Sequence, residues 1–238
     1  MKFTALIALG TAVLVSPAFA GAIETASNSQ VAPQFDIVRA AVTAADGNLS
    51  FAIDVSGAAG SETPKSIGAV LDSAVFAYVW PTSLDSSAVG FDTKQGIVAL
   101  AVTAHPDFDD TPKYDEDGDG NAANDGKTWH SHWVVLVKDQ ACPAGLKVQD
   151  VAPGVTVKMP ATAPGVPLLL DSPDVRPVLG GSTVTVSVPM PEGGDSISFD
   201  GVAAGLRVNA KMEAPLLCVT DVFKVASGDL SLPGKVAP

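Results

Sequence analysis

Residues 35–55 read FDIVRAAVTAADGNLSFAIDV, and this stretch decides the fold class. Apolar residues occupy every other position of its second half: Leu49, Phe51, Ile53 and Val55. A period of two is typical of a β-strand with one buried face. Another apolar run precedes it, and the Asp46-Gly47 pair between the two favours a tight hairpin turn. The stretch therefore predicts an antiparallel β-hairpin.

The same alternation returns later in the chain, at Val184, Val186 and Val188 and at Leu206, Val208, Ala210 and Met212. Four denser apolar runs predict central strands that are covered on both faces: residues 75–80, 97–103, 133–137 and 216–223. The chain also has 18 Pro and 22 Gly between short strands, and no helical stripe beyond its first residues. We therefore predict an all-β, mostly antiparallel β-sandwich of the immunoglobulin or jelly-roll kind, with few or no helices outside the signal peptide.

Residues 1–20 have the layout of a secretory signal peptide. Lys2 is followed by an uncharged apolar run at residues 5–15 and by the small-residue pattern Ala18-Phe19-Ala20. We predict that the mature protein begins at Gly21, forms a single β-sandwich domain over residues 21–238, and is periplasmic or secreted. No later segment approaches the roughly 20 apolar residues that a spanning helix needs, so no membrane span is expected.

The formal net charge of −12 limits the partners. Nucleic acids and anionic membranes are bound through clusters of Lys and Arg, and this acidic chain has no basic patch. Nucleic acid is therefore not expected as a partner, whereas metal cations are favoured.

Cys142 and Cys218 are the chain's two cysteines. An even count in an exported protein predicts a disulfide bond, with a pair of thiolate metal ligands as the alternative. They flank a Pro-rich segment at residues 151–177, which we interpret as a crossover covering a sheet edge rather than as a linker.

The opening hairpin resembles that of DOMON-type and related carbohydrate-binding β-sandwiches. In that group a D-I-x-x-x-x-V run leads to a turn and then to L-x-F-x-I, and here the matching residues are Asp36, Ile37, Val42, Leu49, Phe51 and Ile53. The resemblance covers this hairpin alone. It implies an extracytoplasmic module that binds a sugar or haem, and it carries over no ligand-binding residues.

An acidic loop lies between the histidines of the chain, with His105 before it and His130 and His132 after it. Asp115, Asp117 and Asp119 alternate ahead of Gly120, as do the first ligands and the turn glycine of an EF-hand loop. Asn121 would offer its backbone carbonyl. Asp125 would replace the bidentate Glu, because position 12 is Gly126. This pattern predicts a calcium site at Asp115, Asp117, Asp119, Asn121 and Asp125, and the alternative is a solvated acidic loop.

His130 and His132 share the same parity on a predicted strand, so both rings should project from one side. Such a pair commonly chelates zinc or copper. His105 and Asp107 close the preceding strand and could complete the site from a neighbouring strand. We therefore predict a transition-metal site at His105, Asp107, His130 and His132. The alternative is that the histidines are exposed residues at strand ends.

No nucleophile elbow, phosphate loop, dinucleotide fingerprint or zinc-protease motif appears in the sequence. We therefore expect a binding or accessory protein for metal ions rather than an enzyme, although an open metal coordination position would allow hydrolysis. The rival hypothesis is a carbohydrate- or haem-binding module, with a small ligand or glycan as partner and calcium in a structural role only. Exposed aromatic rings would favour it. The candidates are Tyr78, Trp80 and Tyr114, and we expect Tyr78 and Trp80 to be buried.

Overall fold

The structure, a computed structural model, describes residues 21–111, 113–115, 119–122 and 125–238. Its strands are β1 (Ile23–Glu24), β2 (Ile37–Ala45), β3 (Asn48–Val55), β4 (Ala74–Pro81), β5 (Ile97–Ala104), β6 (His130–Lys138), β7 (Leu146–Val148), β8 (Leu170–Asp171), β9 (Val178–Gly180), β10 (Thr183–Pro189), β11 (Ser198–Phe199), β12 (Val202–Val208), β13 (Leu217–Val225) and β14 (Gly234–Lys235). Helical structure in the described residues is limited to short 3-10 turns at Ser86–Val89, Asp125–Lys127 and Gly194–Ser196. The predicted signal peptide lies outside the described residues.

The predicted hairpin is confirmed by the pairing of β2 with β3. Ala45 pairs with Asn48, and the two residues between them, Asp46 and Gly47, have φ of 50° and 76°. Positive φ at both positions is the type I′ turn whose twist matches that of the flanking strands. The alternating apolar residues of β3 are buried, as the sequence pattern indicates.

The hairpin belongs to a five-stranded antiparallel sheet with the strand order β1-β2-β3-β10-β9. Strand β10 buries Val184, Val186 and Val188 on the same face, so that sequence prediction is confirmed. A small two-stranded sheet pairs β11 with β14.

The second large sheet confirms only part of the predicted fold class. Its order is β5-β4-β12-β13-β7-β6-β8, and β5 also pairs with β6, which closes six strands into a barrel. The all-β, antiparallel class is confirmed, but the sandwich is not. An alternating pattern shows which side chains of a strand are buried and gives no information on whether the sheet closes.

The barrel wall separates two apolar clusters. On its outer side, Phe51 of the five-stranded sheet packs edge-on against Trp80 and Trp133, with ring centroids 5.8 and 6.0 Å apart. On the inner side lie the alternate residues of the same wall strands, among them Val79 and Val134. Strands β4, β5 and β6 are therefore covered on both faces as predicted, whereas β13 exposes part of one face.

Three further expectations can be compared with the structure. Cys142 and Cys218 form a disulfide, as predicted. Residues 151–177 act as a crossover, because β8 within them pairs with β6 and buries Leu170. The strand predicted to extend through Ala210 and Met212 instead ends at Val208, and both residues are exposed in a turn.

No helix in the described part of the chain has the length and apolar character needed to cross a membrane.

Candidate metal centre

Two neighbouring strands of the barrel bring the three histidines together. Strand β5 ends at Ala104, immediately before His105, and β6 begins at His130. Their antiparallel register pairs Thr103 with His130 and Ala101 with His132. The long acidic loop between the strands therefore begins and ends at the same point of the barrel.

Asp110 joins the histidines from within that loop. Its Oδ1 lies 3.1 Å from Nε2 of His105, 3.1 Å from Nε2 of His130 and 3.2 Å from Nε2 of His132. The Nε2 atoms of His105 and His130 are themselves 3.1 Å apart. All four residues are buried, and each of the three histidines is 1% exposed. Three nitrogens and one oxygen thus converge on a single point, and the described group could hold a metal ion.

The other ring nitrogen of each histidine fixes its tautomer. His105 Nδ1 contacts the carbonyl of Phe108 at 3.0 Å, and His130 Nδ1 contacts that of Thr128 at 2.7 Å. A carbonyl can only accept a hydrogen bond, so each Nδ1 must donate its proton. His132 Nδ1 lies 3.1 Å from Oγ of Ser172, whose hydroxyl donates to the Asp110 carbonyl and therefore accepts from the ring.

A neutral imidazole with its proton on Nδ1 presents a bare lone pair at Nε2. When all three rings are neutral, as metal binding requires, three such lone pairs face the Asp110 carboxylate at 3.1 to 3.2 Å without a proton for each contact. His132 Nε2 and Asp110 Oδ1 are buried and have no hydrogen-bond partner among the described residues. The Thr103 hydroxyl lies 3.1 Å from His130 Nε2 and can donate one hydrogen bond to it. A bound cation would relieve the remaining repulsion.

Burial and mutual charge set the protonation of this group. Burial by itself raises the pKa of the Asp110 carboxyl, but the neighbouring His132 and His105 rings lower it well below its usual range. Burial lowers the pKa of His132, and this effect exceeds the opposing influence of Asp110. An ionised carboxylate and neutral imidazoles are the forms that bind a metal ion.

Gly126 allows the acidic loop to close over His105. Its carbonyl accepts a hydrogen bond from the His105 backbone N–H at 2.7 Å. A Cβ at this position would lie 1.9 Å from the Phe108 carbonyl oxygen and 2.8 Å from His105 Nδ1. The Phe108 ring stacks on the His105 imidazole, with centroids 3.9 Å apart. Glycine at position 126 therefore preserves the contact that orients His105.

Strand parity correctly placed His130 and His132 on one side, and His105 beside them. The expectation that these rings could be exposed at strand ends is wrong, because all three are buried. Asp107 does not join the described group. Its carboxylate instead accepts hydrogen bonds from the Ser66 hydroxyl and from the backbone N–H groups of Ile67 and Gly68.

Asp110 was missed by sequence reasoning. It lies in the acidic stretch, but nothing in the spacing distinguishes it from Asp109, which caps the turn by accepting from the backbone N–H of Thr111. Parity arguments apply within a strand, and the chain leaves β5 at Ala104. Only the folded loop shows which carboxylate turns inward.

Of the predicted calcium ligands, Asp115 and Asp119 do not belong to the group that could hold a metal ion among the described residues. Asp115 accepts hydrogen bonds from the backbone N–H groups of Asp119 and Gly120, and Asp119 accepts one from that of Asn121. Asp117 lies outside the described residues, and Asp125 begins a 3-10 turn. The calcium site therefore stays a prediction.

Tyr78 and Trp80 are buried as expected, so their ring faces are not available for stacking on a sugar. Comparisons of the chain with protein-family models, with curated proteins and with solved structures each gave no match. The resemblance to DOMON-type modules stays an expectation drawn from the hairpin alone.

Proposed function

We propose that this chain is an exported metal-binding protein with a non-catalytic binding or accessory role. Its metal would be one zinc ion held by His105, Asp110, His130 and His132. The observation that carries the proposal is the convergence of three Nε2 atoms on Asp110 Oδ1 while each Nδ1 is held by an acceptor. Histidine ligands of zinc typically donate their second N–H in this way.

The spacing of the donor atoms favours zinc over copper(II). A tetrahedral ion with bonds of about 2.0–2.1 Å has donor–donor edges of roughly 3.3 Å. In a square-planar site with similar bond lengths, the donor on the opposite side of the metal lies about 4 Å from the carboxylate oxygen. Asp110 Oδ1 is 3.1 to 3.2 Å from all three nitrogens, so the position of the carboxylate oxygen agrees with the tetrahedral alternative. The four donor atoms all lie within 4.8 Å of one another.

The number of protein donors favours binding over catalysis. Catalytic zinc sites usually keep one coordination position for water or substrate, whereas structural sites use four protein ligands. Here four buried side chains supply the donors. Such a centre would fix the end of β5, the start of β6 and the loop between them. Zinc would thereby stabilise this end of the barrel.

Zinc titration of the metal-free protein tests the proposal. Isothermal titration calorimetry should show one zinc ion per chain, and elemental analysis of protein from its own host should find the same stoichiometry. Asp110→Asn should weaken binding strongly because a neutral amide oxygen replaces the anionic carboxylate, and His132→Ala should do so because it removes a nitrogen donor.

Asp107→Asn is the matched control, since Asp107 lies in the same loop but contacts Ser66 and backbone amides. It should leave zinc affinity unchanged. Equal losses in Asp107→Asn and Asp110→Asn, or a wild-type protein that takes up no zinc, would contradict the assignment. Calcium titration of the same preparations tests the acidic loop separately, and N-terminal sequencing tests the predicted start at Gly21.

A further inference from the structure

The closed barrel contains a cavity of about 80 Å³ beside the metal centre. Its lining is apolar except at one end, where Thr103, His105, Asp110 and His132 reach it. The apolar part is formed by inward-facing side chains of the barrel strands and their neighbours, among them Val75, Val79, Val134, Leu136, Leu206 and Val219. Val222 of β13 also lines the cavity and is 42% exposed, so the cavity opens to solvent on that side. Its walls are too apolar to hold ordered water over most of their surface.

The cavity is present because small residues occupy inward-facing positions on adjacent strands. Ala77 of β4 pairs directly with Ala204 of β12, and both face the interior. Ala101 of β5, which also lines the cavity, pairs with His132. Small closed barrels are normally filled by larger side chains, and protein interiors seldom contain voids larger than a water molecule. Alanine at these positions leaves room that a branched side chain would occupy.

We propose that the barrel interior is a binding site for a small, uncharged, nonpolar molecule of the size of a dissolved gas or short hydrocarbon. An apolar cavity of roughly 150 Å³ is large enough for benzene or xenon, and this one is about half that size. A charged ligand would lose its hydration without compensating partners along the apolar walls.

A second pocket adjoins the cavity. It measures about 220 Å³ and shares Phe108, Asp110 and Leu217 with the inner cavity. Met212, which is 53% exposed, lies on its rim. Phe108 and Asp110 line both spaces. This location makes the bound molecule a neighbour of the metal ligands.

Xenon is the probe, and methyl NMR of the full mature chain is the measurement. Under increasing xenon pressure, methyl resonances of cavity residues such as Val79, Val134 and Leu206 should shift and saturate. Methyls of the outer core, such as Val186, should show only small shifts that grow linearly with pressure. Linear shifts at the cavity methyls as well would overturn the proposal.

Ala204→Leu should abolish the saturable shifts by filling the cavity. Ala210→Leu is the matched control, because Ala210 is an exposed alanine outside the barrel wall, and it should bind xenon like the wild type. If circular dichroism shows that Ala204→Leu does not fold, Ala77→Val provides the smaller filling change. Saturation that persists unchanged in a folded filling variant would also overturn the proposal.

The experiment separates this inference from the proposed zinc site. It is performed on zinc-loaded and chelator-treated protein, since the apolar walls do not require the metal. Saturable xenon binding without any zinc uptake would support the cavity and contradict the zinc assignment. Zinc uptake without saturable xenon binding would support the zinc assignment and contradict the cavity proposal.

Discussion

Ser172→Ala provides a sensitive test of how the metal ligands are oriented. The Ser172 hydroxyl accepts from His132 Nδ1 and donates to the Asp110 carbonyl at 2.8 Å, so one oxygen positions two proposed ligands. Ser172 is fully buried. The substitution removes this oxygen and leaves all four donor atoms in place. We therefore expect zinc to bind more weakly rather than to be lost.

The size of the effect follows from the linkage of binding and stability. At a zinc concentration 1,000 times the dissociation constant, zinc should stabilise the wild type by about 4 kcal/mol. For a chain of this length that corresponds to a rise in Tm of roughly 8–16 °C. Loss of a hydrogen bond that orients a ligand typically weakens metal binding by about 10–100-fold. Ser172→Ala should therefore reduce the zinc-induced rise by roughly 3–10 °C.

Differential scanning calorimetry with and without zinc measures this rise for each variant. Ser131→Ala is the control, because Ser131 is equally buried between the two histidines of β6 but donates to the Val175 carbonyl on the other side of the strand. Both variants should lower the Tm of the metal-free protein, and that loss cancels in the difference between the measurements with and without zinc. A zinc-induced rise that is the same in Ser172→Ala as in the wild type, or equally reduced in both variants, would refute the reasoning.

Three other predictions concern the loop that closes over His105, the disulfide and the buried Asp36. Gly126→Ala should weaken zinc binding measured by calorimetry, because the new Cβ would collide with the Phe108 carbonyl and displace His105; unchanged affinity would refute this role. Reduction of the Cys142–Cys218 disulfide, which spans 76 residues, should lower the free energy of unfolding by about 4 kcal/mol in urea titrations, and no change would contradict its stabilising role. For Asp36, burial raises the pKa, but hydrogen bonds from Ser27 and Lys224 outweigh it and lower the pKa to about 2. The ionised Asp36 carboxylate should therefore contribute about 2 kcal/mol to the free energy of unfolding above pH 4, and this contribution should be lost as the pH falls towards 2. Asp36→Asn should therefore destabilise the protein at pH 7 more than at pH 3.

The fold class could be predicted where information is local. The Asp46-Gly47 turn and the alternation in β3 and β10 specify a hairpin and its buried face, and both agree with the structure. Closure of the second sheet depends on the pairing of β5 with β6 across the acidic loop. No residue pattern within either strand encodes that pairing, so the barrel could not be distinguished from an open sheet.

The candidate site was predictable to the same extent. Parity on β6 placed His130 and His132 together, and their position beside the loop indicated His105. Asp110 and Ser172 could not be found in this way, because one lies in an irregular loop and the other follows β8 in a crossover far along the chain. The convergence of these segments is a property of the tertiary structure.

X-ray absorption spectroscopy at the zinc edge of the zinc-loaded protein tests the central claim most directly. We predict a shell of four nitrogen or oxygen neighbours at about 2.0–2.1 Å, without sulfur, together with the outer-shell scattering of three imidazole rings. His132→Ala should remove the contribution of one ring. A six-coordinate oxygen shell, or a spectrum that is unchanged in His132→Ala, would contradict the assignment of zinc to His105, Asp110, His130 and His132.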